Sequence, residues 1–353
     1  MQKGRASLAF EHGPLIIGAA SVVGKKEGQG PLGQYFDVIE QDDMFGTKSW
    51  EEAESAMQKQ ACQLALEKAK TENQDVRYLF AGDLLGQLIA TSFGTMDLEI
   101  PMFGLYGACS TMGEAMSLGA MAVAAGYGDR VVAAASSHFA TAEKQFRFPL
   151  GYGNQRPFAA TWTVTGCGAV VLASEDSLQK KSLQDKGPQT GGIRPLAKIT
   201  GITTGKIVDM GAKDSMNMGA AMAPAAYDTI NRNFVDFDRT EKDYDKIITG
   251  DLGEVGRKVL LDFMSQQGRN LKEIHMDCGM MIYDKNTQDT HAGGSGCGCA
   301  AATLCSYILR KIQEKEWKRI LFVPTGALLS TVSFNEGQSI PGIAHGVVIE
   351  SAE

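Results

Sequence analysis

The stretch Gly104–His138, GLYGACSTMGEAMSLGAMAVAAGYGDRVVAAASSH, decides the fold. It reads as a glycine-rich turn around Cys109, a helix of small residues, and a buried strand ending in Ser136, Ser137 and His138. The same order returns in Gly294–Gly326, GSGCGCAAATLCSYILRKIQEKEWKRILFVPTG. Two further pairs keep step with it. RYLFAGDLLGQ (Arg77–Gln87) is echoed by KIITGDLGEVG (Lys246–Gly256), each a strand running into Gly-Asp-Leu. GCGAVVLAS (Gly166–Ser174) is echoed by GIAHGVVIES (Gly342–Ser351). Three echoes in one order indicate an internal duplication. The halves are residues 1–178 and 196–353, with a polar linker at 179–195.

Around these motifs, apolar runs suited to buried strands alternate with helical stretches. The strands are expected at Leu15–Ala19, Tyr78–Ala81, Val131–Ala135, Ala169–Ala173, Lys198–Ile202, Lys246–Thr249, Arg319–Val323 and Val347–Glu350. Helices are expected at Trp50–Lys70 and Gly298–Lys315. Such alternation implies an α/β fold whose sheets are covered on both faces.

Composition narrows the function. Lys and Arg number 34 against 41 Asp and Glu, a net charge of −7, and no long basic run interleaves with aromatics. Nucleic acid and a broad polybasic membrane face are therefore poor partners. The longest uncharged run near the opening motif, Ala115–Gly128, has 14 residues, short of the roughly 20 a membrane span needs. At the N-terminus, Glu11 and His12 stand where a signal peptide has its apolar stretch. A soluble intracellular chain without export signal is the expectation. The seven cysteines are scattered and odd in number, which favours reduced thiols. The CGC of Cys297–Cys299, with Cys278 and His291, lacks the paired C-x-x-C spacing of structural zinc, so no protein-held metal is expected.

Thr111 and Glu114 match the S/T-x-x-E capping box, placing a helix start near Ser110 or Thr111. Cys109 then precedes a helix N-terminus, where the dipole and free N–H groups favour a thiolate or hold an anion. The bland alternative makes Cys109 a buried small hydrophobe. A nucleophile needs a base, and His138, His291 and His345 lie at the half-repeat ends that would meet in a central cleft.

The duplication, the Gly-Ala-Cys-Ser turn before a small-residue helix, and the closing GIAHGVV strand resemble the thiolase and ketoacyl synthase superfamily. Within it, GPLGQYFD (Gly30–Asp37), AGDLLGQ, GACST, ASSHFATAEKQFRFP (Ala135–Pro149) and AMAPAAYDTI (Ala221–Ile230) resemble a stage V sporulation family. The resemblance implies a thiolase-like fold of five layers, α-β-α-β-α, and a homodimer. It also implies two second-half groups beside the cysteine in condensing enzymes. One is a histidine just after the strand Lys246–Thr249, where this chain reads Gly250-Asp251-Leu252. The other is a His or Asn in a glycine-rich turn, here HAGGSGCGC (His291–Cys299), where His291, Gly294 or Ser295 occupies the slot. Claisen condensation is thus not expected, and Cys109 becomes a vestigial nucleophile position. An acyltransferase or condensing enzyme using Cys109 is the alternative.

By the same resemblance the chain binds dipicolinic acid (pyridine-2,6-dicarboxylate) without catalysis. It would work beside membrane proteins of the apparatus that moves this compound into the forespore and out at germination, peripheral to the spore inner membrane. Such a flat dianion wants N–H or cationic partners and an apolar slot. The segment Thr141–Pro157 carries Lys144, Arg147 and Arg156 against Glu143, with Phe146, Phe148 and Tyr152 interleaved. It reads either as a wall over the Cys109 pocket or as a solvated surface loop. Cys109, Ser110, Ser137, His138, Lys144, Arg147, Arg156, His291, Gly294, Ser295 and His345 complete the expected ligand-binding set with Asp83 and Asp251. No cofactor is implied beyond calcium as the ligand's chelate, toward which Asp83 and Asp251 would bring carboxylates; their simpler role is helix capping. Met210, Met216, Met218 and Met222 either fill core gaps or cover the pocket.

Overall fold

The structure is a computed structural model that describes residues 1–147, 155–178 and 193–352. Residues 179–192 of the expected linker, and Phe148 and Tyr152 of the basic segment, lie outside the described residues.

Ten strands carry the architecture. In the first half they are β1 (Leu15–Val23), β2 (Tyr78–Asp83), β3 (Met102–Gly104), β4 (Arg130–Ser137) and β5 (Gly166–Ala173). In the second half they are β6 (Ala197–Thr203), β7 (Lys246–Thr249), β8 (His275–Asp277), β9 (Arg319–Val323) and β10 (Gly346–Glu350). Their spatial orders are β3-β2-β4-β5-β1 and β8-β7-β9-β10-β6, the same order in both halves. Directions repeat as well. Strands β2, β3 and β4 pair in parallel, as do β7, β8 and β9, while β5 and β10 run antiparallel to both neighbours. The two sheets join edge to edge through Ala197 opposite Ile16 and Lys198 opposite Leu15. All eight expected strands form, several running one to four residues longer. The short edge strands β3 and β8 were not expected, because Met102–Gly104 and His275–Asp277 lack an apolar run.

Helices cover these sheets. They are α1 (Trp50–Lys68), α2 (Ile89–Thr95), α3 (Thr111–Ala124), α4 (Phe139–Phe146), α5 (Met218–Phe237), α6 (Gly253–Gln266) and α7 (Cys297–Thr303). Met57, Ala61 and Leu66 of α1 pack on Ile17, Leu79 and Val171, forming one outer core. Ile230, Phe234 and Leu260 pack on Ile247, Leu321 and Val348 as the other. Between the sheets lies a third core, where Met112 and Met116 of α3 and Ala300 and Ala301 of α7 meet Leu172, Phe322 and Ile349. Burying each such large apolar side chain is worth about 1.5–3 kcal/mol. The order from outside to outside is α-β-α-β-α, the five layers of the thiolase-like fold.

Small residues let the middle layer sit this close. A Cβ on Gly168 of β5 would lie 2.2 Å from the Ala301 carbonyl oxygen, so the strand accepts α7 only as glycine. The helix expected over Gly298–Lys315 is interrupted, because α7 passes through a π turn at Leu304–Ile308 before a last turn at Leu309–Gln313.

Candidate functional site

The turn between β3 and α3 holds Cys109 in a strained setting. Ala108 has φ +49°, a left-handed conformation unusual for a residue with a Cβ. Its carbonyl accepts from Thr111 Oγ1 at 2.7 Å and Cys297 Sγ at 3.0 Å, while Ser110 Oγ donates to the Gly107 carbonyl at 2.7 Å. Gly107 N–H donates to Thr111 Oγ1 at 3.2 Å. The helix begins at Thr111 as expected, but the capping box does not form. Thr111 is spent on the turn, Ser110 gives no side-chain cap, and Glu114 Oε2 is buried without a hydrogen-bond partner.

Asp251, just past the end of β7 in the second half, meets this turn. Its Oδ2 accepts the Gly296 N–H at 2.9 Å, its Oδ1 accepts Thr325 Oγ1 at 2.8 Å, and the Cys109 thiol faces the carboxyl group. Gly296 has φ +100°, and a Cβ there would lie 2.6 Å from Ser137 Oγ, so only glycine presents this N–H. Asp251 is fully buried, and burial lifts its carboxyl to about 7 despite these three neighbours. The thiol is pushed well above its ordinary value by burial first and the Asp251 charge second. This corrects the expected thiolate, because desolvation and a neighbouring carboxylate outweigh the helix dipole. Cys109 nonetheless keeps partial solvent contact, whereas the other six cysteines are buried; all seven are free thiols.

Asp251 is not a helix cap either. Asp277 accepts the Leu252 and Gly253 N–H groups at 2.9 and 3.0 Å at the start of α6. Asp83 binds the Leu85 N–H at 2.9 Å and, from α2, the Thr91 N–H and hydroxyl at 3.0 and 2.7 Å. Every carboxylate oxygen of Asp83 and Asp251 thus accepts at least one hydrogen bond from the protein.

A cavity of about 60 Å³ opens above Cys109 and Asp251. One wall is α4 with Ala142, Glu143, Phe146 and Arg147; another is Thr161, Thr163 and Ser295; Leu84, Tyr106, Ala327 and Leu329 add apolar surface. So the first part of the basic segment, residues 142–147, forms a wall, and it is largely helical rather than a loop. Arg147 Nη2 donates to the Thr161 carbonyl at 2.6 Å, and Nη1 lies 3.2 Å from Glu143 Oε1 without making a hydrogen bond. Burial raises the Glu143 carboxyl and lowers the Arg147 guanidinium. Met216 and Met218 line the cavity and Met222 is core, the two expected roles, while Met210 is exposed and takes neither.

Of the expected set, only Cys109, Arg147, Asp251 and Ser295 line this cavity. Lys144 points away to Glu51 at 2.9 Å. Arg156, 6% exposed, binds Asp289 at 2.8 Å and stacks on Trp162, leaving its Nη1 without a hydrogen bond. Ser137 Oγ donates to the Val164 carbonyl at 2.7 Å and accepts the Gly298 N–H at 3.0 Å. Gly294 pairs with Trp162 in a short ladder. None of the three histidines can serve the thiol. His138 caps α4 by accepting the Ala140 N–H at 3.2 Å and bonds the Asp43 carbonyl at 2.9 Å. His291 sits between the Pro157 carbonyl at 2.9 Å and Asp289 at 3.1 Å. His345 accepts the Gly205 N–H at 3.3 Å, and burial lowers it to about 4.

Comparison with known proteins matches this geometry to a family. The profile of stage V sporulation protein AD aligns with residues 4–350. The chain belongs to the stage V sporulation protein AD family. It is 42% identical to the stage V sporulation protein AD of Bacillus subtilis (strain 168) over 349 residues, covering 99% of this chain and 98% of that one. Solved structures of similar fold include an acetyl-CoA acetyltransferase from Syntrophomonas wolfei (TM-score 0.62, 10% identity, 97% of this chain and 100% of that one). A 3-oxoacyl-[acyl-carrier-protein] synthase III from Aquifex aeolicus VF5 is also similar (TM-score 0.56, 13% identity, 96% and 100%). At such identities the likeness is one of fold. This member of the stage V sporulation protein AD family is thus a sporulation protein of thiolase-like fold. Among its described residues no helix is long and apolar enough to cross a membrane.

Sequence reasoning missed Thr161, Thr163, Leu84, Tyr106, Ala327 and Leu329 as cavity residues of this family member. Leu84 directly follows the echoed Gly-Asp, a signal that was available. The others come from short strands and connections with no periodicity, and only the packing of the two halves brings them together.

Proposed function

We propose that this chain is a non-catalytic binding protein for dipicolinate, working within the sporulation and germination apparatus beside membrane proteins of the spore inner membrane. The observation that carries the reading is Asp251. It lies in the stretch where the resemblance to condensing enzymes calls for a histidine, and its carboxyl group faces the Cys109 thiol. A carboxyl group there raises the thiol, the reverse of what a cysteine nucleophile needs. Arg147 gives the cavity one cation, Thr161, Thr163 and Ser295 give it polar side chains, and Leu84, Phe146 and Leu329 suit the face of an aromatic ring. At about 60 Å³ the cavity must widen to admit the ligand, and the flexible side chains of Met216 and Met218 are the parts able to yield.

The chain acts as a homodimer in this reading. Strand β3 is a sheet edge with all three residues exposed, and Phe93, Met96 and Phe103 around it are more than half exposed. An apolar edge of this kind calls for cover.

Calorimetric titration with dipicolinate, with and without calcium, tests the binding. Heat saturating at one site per chain is expected, and no heat at millimolar ligand would overturn the reading. Incubation with acyl-coenzyme A followed by intact-mass measurement tests the alternative of an acyltransferase using Cys109. No acyl adduct is expected.

A further inference from the structure

Buried, and facing the same cavity as Arg147, Asp251 has a consequence for how an anion enters. Counting formal charges, the lining carries one cation, Arg147, and two carboxyl groups, Glu143 and Asp251. A doubly charged ligand placed there would meet net negative surroundings if both acids were ionised. We infer that Asp251 is the proton carrier of this site: the ligand is captured together with one proton, which Asp251 holds and presents as an O–H donor to a ligand carboxylate. The inference rests on the binding reading above and gives that site its regulation.

The surroundings of Asp251 support the assignment element by element. From the turn before α3 the Cys109 thiol faces it, and from α7 the thiols of Cys297 and Cys299 do; all three are raised far above neutrality by burial and stay uncharged. From β8 and the short helix after it come Asp277 and the equally raised Cys278 thiol. Asp277 is engaged by Thr249 Oγ1 at 2.6 Å and by the Leu252, Gly253 and Met280 N–H groups. From the strand after β9 the neutral Thr325 hydroxyl donates to it. Across the cavity, α4 contributes Glu143 and Arg147, which pair with each other. Asp251 has no cation among its hydrogen-bond partners, and its carboxyl titrates at about 7, so a nearby anion shifts it to the protonated form without a large further cost.

The sign follows from linkage. Below about pH 7 Asp251 already carries its proton and affinity is level. Above it, binding must draw a proton from solution, and affinity falls toward tenfold per pH unit. Titration of the full-length chain with dipicolinate between pH 6 and 9, in buffers of different ionisation enthalpy, counts the protons directly. Uptake approaching one proton per ligand at pH 8 is expected. It should vanish, with the pH dependence, in Asp251→Asn, and persist in Glu143→Gln. Should Asp251→Asn lose its thermal transition, the wild-type proton count and the Glu143→Gln comparison still decide. Binding that is pH-independent with no proton uptake, or uptake lost in Glu143→Gln, overturns the inference while leaving dipicolinate binding intact. No binding at any pH would instead sink the binding reading itself.

Discussion

The Cys109 thiol and the Asp251 carboxyl group face each other across the two halves of the chain and are electrostatically coupled. Asp251 raises the cost of ionising the thiol, whereas the thiol eases ionisation of the carboxyl group, whose rise comes from burial. A thiol in this state reacts slowly with alkylating reagents, although Cys109 is the one cysteine with partial solvent contact. Mass-spectrometric mapping after iodoacetamide treatment at neutral pH should find Cys109 labelled first, yet more slowly than a free cysteine. Asp251→Asn removes the neighbouring charge and should speed labelling several-fold. Labelling of the native protein faster than free cysteine would contradict the pairing.

Arg147 is the cation of the cavity, and its Nη1 has no hydrogen-bond partner. Hydrogen bonds to charged groups are worth about 1.5–3 kcal/mol, which corresponds to roughly a tenfold to hundredfold change in affinity. Arg147→Ala is expected to weaken dipicolinate binding by at least tenfold in calorimetric titration. Arg147→Lys should recover only part of it, because an ammonium cannot keep both the Thr161 carbonyl and a ligand carboxylate in one plane. Unchanged affinity in Arg147→Ala would place the ligand elsewhere.

A pH dependence of stability follows from Glu54, buried in α1 against Ser136 and Thr141. Burial first, and the Asp83 carboxylate second, push its carboxyl well above the ordinary glutamate value. The folded state therefore binds this proton more tightly than the unfolded chain. Its contribution is complete below the ordinary glutamate range, about 4.3, and is lost as pH rises through neutrality toward the raised value. Glu54→Gln should flatten the fall in melting temperature between pH 6 and 8.5 in scanning calorimetry. A steeper fall in the variant would reverse the sign and refute the assignment.

The exposed edge of the first sheet gives a fourth test. Phe103 is 53% exposed and stacks on Phe80 at 5.4 Å. Phe103→Asp is expected to shift the chain from dimer to monomer in sedimentation velocity, with little change in its circular dichroism. A native chain that sediments as a monomer would remove the dimer from the proposal.

Much of the fold was legible in the sequence, since strands buried on both faces are written as continuous apolar runs and the two halves repeat their turns. The strand Lys246–Thr249 and the helix start at Thr111 are examples. Edge strands β3 and β8 were not, because an edge is made by pairing with a neighbour rather than by local pattern. The site was legible at Cys109, Arg147, Asp251 and Ser295. It did not extend to His138, His291 and His345, which lie outside the cavity lining and whose rings are held by the distant Asp43, Pro157 and Gly205 backbone groups together with local partners.

By itself, then, the sequence determined the duplicated α/β architecture, the Gly-Ala-Cys-Ser turn and the absence of a histidine just after Lys246–Thr249. Those are properties of short segments and their spacing. Only the tertiary structure decided the chemistry of the turn. A helix N-terminus read locally favours a thiolate, but the pocket buries the sulfur and sets Asp251 against it. Desolvation and the field of a carboxyl group brought from the other half of the chain act through space, and together they outweigh the dipole of one helix.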